Sequence, residues 1–461
     1  MRNVFTLLAA AALAGCASYT PVPVAPAAVA ARQAAVTLDA AAVAPVLARI
    51  APGSQSPAGR WDRLSLFAAM LHGNADIAAA RAAIDSASAA RRASAARQGA
   101  TLTLTTEYAA NAPESSPWLF GGAIDIPIDA GGRRASRLAI ADLGVVAARY
   151  DYAEIVWTVR MALRRALADR LLGQARLAAA TDIVAVRQRQ FDAMARRVAA
   201  GAASRADLER VRGDTADALR RQADARTQIA TGNAGLAAAL GVPAADIAAQ
   251  VVIWDGFAAP AAQPFADAAA RQGAIAARAD VLKSATQYDQ AEADLRGEIA
   301  RQYPAISIGP GYTWERGLVK LPINLALVLP PFDGNRGAIA AAEARRQEAA
   351  ARLEAMVAAA QASVDQALAA TQLARAALAK VRQGEIPAAE RLARQADNEL
   401  RAGAIDRSEW AAAQAGARLA RLSELDALAA VHGADADLEA ALRRPVEGPE
   451  LAIRNGLEAL K

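Results

Sequence analysis

Cysteine and histidine are nearly absent from this chain of 461 residues, which has one cysteine, Cys16, and two histidines, His72 and His432. A lone cysteine excludes an intramolecular disulfide. Two histidines provide no Cys/His spacing for a structural or catalytic zinc. Both fall in helical pattern, where packing or a solvated surface is the plain reading. No Gly-rich phosphate loop and no nucleophile–histidine–acid set occurs, so the residues argue against an enzyme and imply no cofactor. Aromatic residues make up only 4% of the chain, too little bulk for one large globular core. Alanine dominates instead, spaced by Arg, Glu and Gln, a composition that suits long, closely packed helices. The formal charge is +5, but Arg alternates with Asp and Glu and no basic-aromatic stripe appears. This is a solvated face rather than a nucleic-acid surface.

What the chain does have is a long internal repeat. Residues 124–141 read IDIPIDAGGRRASRLAIA and residues 327–344 read LVLPPFDGNRGAIAAAEA. Pro127 aligns with Pro331 and Asp129 with Asp333. Gly131 and Gly334 occupy the turns, and each turn leads into a long Ala-rich segment. A second pair lies further on, RVAAGAASRADLERVR around Gly201 and ELRAGAIDRSEWAAAQ around Gly403. The offsets, about 204 and 202 residues, are too long for a solenoid unit and mark a duplicated half-protein.

Alternation defines two strand hairpins. Leu102, Leu104 and Tyr108 alternate with Thr101, Thr103 and Glu107, and Ile124, Ile126 and Ile128 alternate with Asp125 and Pro127. This predicts strands at about 101–109 and 118–128, with a second pair at about 305–314 and 320–329. Strands of this length with one apolar face fit a transmembrane barrel, with Tyr108, Trp118, Tyr312 and Trp314 at the girdle. Four strands cannot close a barrel and open edges are not tolerated in lipid. The chain is therefore expected to oligomerise, three copies supplying twelve strands.

Helical pattern runs over about 61–97, 132–200, 204–240, 265–302, 336–402 and 406–442. No proline interrupts the chain between Pro127 and Pro243, and the first long helix should span on the order of 100 Å. Pro387 should kink its counterpart. The two halves, 60–242 and 265–444, are joined by residues 243–264, expected with the tail 445–461 in a belt at mid-height.

At the N-terminus, Arg2 precedes a short apolar run that ends in Leu13-Ala14-Gly15-Cys16. The run is too short to span a bilayer and reads as a secretory signal over 1–15. Residues 16–59, rich in Ala, Pro and Val, read as a flexible tether.

Taken together, the lipobox-like Leu-Ala-Gly-Cys, the hairpins, the long helices and the duplication resemble the TolC family of outer-membrane efflux proteins. The resemblance covers essentially all of the mature chain. Residues 309–317 and 329–346, with 383–390, are similar to its heavy-metal, CzcC-like branch. The resemblance implies a mostly α fold with a small transmembrane β part: a trimeric 12-stranded barrel continued by a long periplasmic α-helical coiled-coil tube. It implies lipidation at Cys16 and, with no Asp after the cysteine, sorting to the outer membrane. It further implies a tripartite system with a periplasmic adaptor and an inner-membrane resistance-nodulation-division pump. Heavy-metal cations are the implied substrate, with drugs or other small organic molecules as the alternative. A structural or adaptor coiled-coil lipoprotein is the rival of another class.

Two places are candidates for function. The helix-turn-helix tips carry Gly201, Ser204, Asp207 and Leu208 in one half and Gly403, Asp406, Glu409 and Trp410 in the other. In the resembled family such tips contact the adaptor, and Trp410 is expected to be exposed there. Asp397 and Glu399, just before the second tip, are expected to form an acidic aperture ring in a three-fold tube.

Overall fold

The computed structural model describes residues 19–54, 59–110, 116–129, 131–260 and 268–453. The signal segment and Cys16 lie outside these residues. Two short helices come first, α1 (Pro26–Ala34) and α2 (Ala40–Ile50), where the sequence predicts a flexible tether. The second packs down because Val43, Leu47 and Ile50 fall on one face and are buried.

The first half then runs α3 (Arg63–Gly73), α4 (Ala75–Ala95), β1 (Thr101–Tyr108), β2 (Trp118–Ile128), α5 (Arg133–Ala199) and α6 (Arg205–Leu240). The helix predicted over 61–97 is broken at Asn74. Its side chain caps α4 through Asp76 and Ile77 N–H and donates to Ala239 O, the last turn of α6, at 3.0 Å. The linker holds a short helix, α7 (Ala244–Ala249). A parallel bridge between Trp61 and Val252 ties it to the start of the first half.

The second half repeats the plan: α8 (Ala268–Ala276), α9 (Ala279–Ala300), β3 (Ala305–Glu315), β4 (Leu318–Lys320), β5 (Ile323–Val328), α10 (Arg336–Lys380), α11 (Ile386–Arg401) and α12 (Arg407–Leu442). The helix predicted over 265–302 is likewise split. Arg278 stands where Asn74 does and donates to Ala441 O at the end of α12.

At Pro387 the helix changes type locally. A π turn, Val381–Glu385, precedes it, and Ile386 N–H reaches back to Val381 O. The wider turn absorbs the missing proline donor and makes room for its ring, so the helical path continues as α11.

The largest core lies at mid-height. Leu66, Met70 and Ile77 meet Leu167 of α5 and Leu236 and Leu240 of α6, together with Trp254 from the linker. Small residues set the spacing of α5 and α6. A Cβ added at Gly232 would sit 2.7 Å from Arg170 N, and one at Gly235 2.8 Å from Ala166 Cβ. Close backbone approach of this kind explains the alanine content.

Candidate functional site

The strands form one antiparallel sheet in the order β1-β2-β3, with β4 and β5 together as the fourth strand. β4 and β5 share a register on β3, from Thr313 opposite Lys320 to Pro310 opposite Ile323. They are thus one strand interrupted at Leu321-Pro322, where proline has no donor for the ladder. Gly311 N–H still reaches Pro322 O at 2.8 Å.

Register sorts the side chains onto two faces. Leu102 pairs with Ile124, Ile126 with Ile308, and Ile308 with Leu325, which places a continuous apolar set on one side. Leu102, Leu104, Ile124, Ile126, Ile308 and Leu325 are all exposed. The other side carries Thr101, Thr103, Thr105, Glu107, Asp125, Ser307 and Asn324. Toward the loop end of the apolar face, Tyr108, Trp118, Phe120 and Trp314 form an unbroken aromatic row, with centroids 4.9, 5.7 and 6.1 Å apart. On the polar face at the same end, Lys320 pairs with Glu315 and Arg316 lies 3.8 Å from Glu107. Both outer strands, β1 and β4/β5, have one edge unpaired. Among the described residues no helix is long and apolar enough to cross a membrane.

The two strand-to-helix junctions share a backbone device. Gly131 and Gly132 in the first, and Gly334 and Asn335 in the second, have positive φ. In space the junctions sit one residue away from the sequence alignment of Pro127 with Pro331. Alternation explains the shift, because Asp125 closes the first hairpin opposite Thr101 as Val328 closes the second opposite Ala305. Pro127 therefore corresponds to Pro330, and Asp129 and Asp333 do different work. Asp129 lies 3.7 Å from Arg134, while Asp333 accepts from Asn335 N–H at 3.0 Å. Asn335 is buried and donates to Glu298 O at 2.8 Å. Pro331 is exposed, as is Phe332 beside it.

At the tips, Gly201 and Gly403 adopt φ +70 and +71. Ala202 N–H and Ala404 N–H reach back to Arg197 O and Glu399 O, each at 2.8 Å, closing both helices with a left-handed stop. Ser204 caps α6 by accepting from Asp207 N–H at 3.0 Å. The Ser204 hydroxyl bonded to the Asp207 carboxylate holds that acid below its usual pKa. Asp406 and Glu409 form a reciprocal capping box on α12. Arg197 binds Asp406, tying the first hairpin to the second. Leu208 is half-buried.

One expectation is corrected here. Trp410 is half-buried rather than exposed, packed beside Val186, Ala411 and Ala415. Its Nε1 donates to Asp397 Oδ1 at 2.6 Å, and Gln414 donates to the same oxygen at 3.0 Å. Asp397 thus braces its own hairpin through two accepted bonds. Glu399 accepts from Gln395 at 2.8 Å.

Sequence reasoning missed a buried charge cluster at mid-height. Arg160 donates to Glu439 at 2.8 Å, Arg164 lies 3.1 Å from Glu447, and Arg63 lies 3.0 Å from Glu450. Arg63 also lies over the Trp254 ring at 4.5 Å. Burial pushes the Glu439 carboxyl up, but Arg160 and Arg164 outweigh it and leave the group below its usual range. His432 stacks on Phe257 at 4.3 Å and contacts its carbonyl at 2.9 Å. Burial lowers its pKa to about 4. The i,i+4 pair Arg160 and Arg164 inside an Ala-rich helix was the available signal. Among the described residues no group of three His, Cys, Asp or Glu could hold a metal ion.

The sequence matches the outer membrane efflux protein family over residues 66–242 and 270–443. The cobalt-zinc-cadmium resistance protein CzcC of Cupriavidus metallidurans is 28% identical over 229 residues, 46% of this chain and 50% of the relative. The chain thus spans about half the length of that curated relative. A crystal structure of a membrane protein from Pseudomonas aeruginosa superposes with TM-score 0.67 at 22% identity, over 85% of this chain and 99% of that one. The CmeC outer membrane channel of Campylobacter jejuni superposes with TM-score 0.69 at 15% identity, over 87% and 89%. At these identities the likeness is one of fold. With most of its length matched, the chain belongs to the outer membrane efflux protein family and is a transport protein rather than an enzyme.

Proposed function

We propose that this outer membrane efflux protein is, as a homotrimer, the exit channel of a tripartite system, passing substrate from an inner-membrane pump and a periplasmic adaptor to the exterior. The observation that carries this reading is the two-faced sheet with unpaired edges, continuous with helices of 67 and 36 residues. Leaving so many large apolar side chains in water is unfavourable by about 1.5–3 kcal/mol each. Lipid on one face and a polar lumen on the other removes that cost, and edge-to-edge pairing of three copies satisfies the open ladders. The long helices then form the periplasmic tube, with the tips at Gly201 and Gly403 as the adaptor-contacting end.

Cys16 is the lipid anchor in this reading. From Tyr19 to α2 the described chain contains one nine-residue helix.

For the substrate we favour heavy-metal cations, on the partial likeness to a cobalt-zinc-cadmium resistance protein. The test is a deletion strain challenged in parallel with cobalt, zinc and cadmium salts and with a panel of organic drugs, alongside the native mass of the detergent-solubilised protein. Metal hypersensitivity and a trimer are expected. Drug hypersensitivity alone would move the substrate to the organic class, and a stable monomer retaining its sheet would defeat the channel.

A further inference from the structure

We propose that the cavity below the inner strands β2 and β3 binds the phosphate of an anionic glycerophospholipid. Arg133, Ser136 and Arg137 of α5 hold the headgroup, and the acyl chains leave over Ile128, Ile140 and Ile306. The inference rests on the channel reading, which puts the helical end of the sheet at the periplasmic leaflet, and adds to it a lipid site.

The cavity has a volume of about 570 Å³ and lies where α4 and α9 flank the start of α5. That is the size of an ordinary small-molecule pocket, about 300–1,000 Å³. Ile128 and Ile306 close it on the sheet side. They stand opposite each other in the β2–β3 pairing and continue the apolar face of Ile126 and Ile308. The cavity is therefore under the paired inner strands, away from the free edges of β1 and β4/β5, and a neighbouring copy's strand is not its occupant.

Arg133, Ser136, Arg137 and Ile140 all line the cavity. Their spacing, i, i+3, i+4 and i+7, makes them one stripe of α5. Three carboxylates also line it, and each already has a cation. Asp294 lies 2.6 Å from Arg345, Glu298 2.9 Å from Arg301, and Asp129 3.7 Å from Arg134. Arg133 and Arg137 have no carboxylate partner among the described residues. Arg133 donates to Ala300 O and Tyr303 O, and Arg137 Nε donates to Ser94 O at 3.3 Å. Carbonyls orient a guanidinium but do not cancel its charge, so two half-buried cations stand one turn apart and repel. Between them Ser136 is only 9% exposed, and its hydroxyl has no partner among the described residues. One phosphate shared by the two guanidinium forks and the hydroxyl satisfies all three.

The duplicated junction shows that this set is not needed to turn a strand into a helix. With the helices starting at Arg133 and Arg336, Ile339 and Ala340 stand where Ser136 and Arg137 do. Free phosphate would leave the three isoleucines unused. A lipid covers them, and basic pockets at membrane depth suit anionic headgroups. A zwitterionic lipid gains less, because its ammonium finds every cavity carboxylate already paired.

The test is native mass spectrometry of the full-length protein in mild detergent. The delipidated protein is given phosphatidylglycerol, phosphatidylethanolamine with the same acyl chains, or inorganic phosphate. Wild-type trimer should retain phosphatidylglycerol about ten-fold better than phosphatidylethanolamine, and Arg137→Ala should lose about ten-fold of that retention. Arg137→Lys keeps the charge and should stay within about three-fold of wild type. Ala141→Phe fills the cavity with no change of charge, and it should lose the lipid while keeping the trimer mass and unfolding temperature. If Arg137→Ala does not assemble, Ala141→Phe decides by the same criterion. Trimers that retain both lipids equally, or phosphatidylglycerol equally with and without the substitutions, overturn the site and leave the channel standing. Inorganic phosphate bound with no lipid retained overturns the lipid assignment. A wild-type protein that is monomeric by native mass overturns the channel reading and the site with it.

Discussion

The indole Nε1 of Trp410 donates to Asp397 Oδ1 at 2.6 Å, across the two arms of the second helical hairpin and one turn from its tip. Gln414 converges on the same oxygen, so the carboxylate fastens α11 to α12 where the hairpin would otherwise fray.

Trp410→Phe keeps the ring packing and removes the bond, while Asp397→Asn keeps the shape and weakens it. Each should destabilise the tip by about 1 kcal/mol, with a coupling of similar size in the double variant, as expected for residues in direct contact. Hydrogen exchange of the amides at 396–412 reads this directly. Independent, additive effects would mean that the bond contributes nothing.

Adaptor contact at the tips is tested separately. Leu208→Ala and Arg197→Ala should leave membrane insertion intact. If the tips bind the adaptor, both variants should reduce its co-purification, the second by releasing Asp406 and letting the hairpins part. Wild-type recovery of adaptor with both variants would place the docking surface elsewhere.

Labelled palmitate should enter the wild-type protein and be lost from Cys16→Ser. An unlabelled wild-type protein in a Gram-negative host would exclude lipidation.

Glu439→Ala should be the most damaging of the substitutions proposed here. It removes the buried carboxylate that Arg160 and Arg164 share, leaving them Glu450 at 3.6 Å and Glu447 at 3.1 Å, a loss of about 3–5 kcal/mol. A thermal transition within a few degrees of wild type would show that solvent reaches the cluster.

His432 predicts a pH dependence with a definite sign. Its pKa falls from 6.5 to about 4, because burial disfavours the imidazolium, with Arg164 and Arg63 adding to this and Glu447 opposing it. The unfolded chain therefore binds the extra proton first. Stability is fully present above about pH 6.5 and declines as pH falls toward 4, by up to roughly 3 kcal/mol. His432→Gln should flatten the unfolding midpoint over that interval, and an unchanged slope would assign the dependence to other groups.

Local pattern made much of this protein legible in its sequence. Alternation in 101–108 and 323–328 specifies strands and their apolar face, because a strand's side chains change sides at every residue. Gly201 with Ser204 and Gly403 with Asp406 specify the tips, because stop and cap chemistry act within one turn. The long helices follow from alanine and the absence of proline. What only the tertiary structure decided depends on contacts between distant segments. Asn74 and Arg278 break helices that read as continuous, because each binds carbonyls at the end of a helix about 165 residues away. Trp410 and Asp397 looked like separate surface features until the hairpin brought them together. Arg63, Arg160 and Glu439 looked like solvated charges, and they are buried because α3, α5 and α12 converge at one level. Alternation and capping are properties of neighbouring residues, whereas burial of a charge depends on which remote helix comes to lie against it.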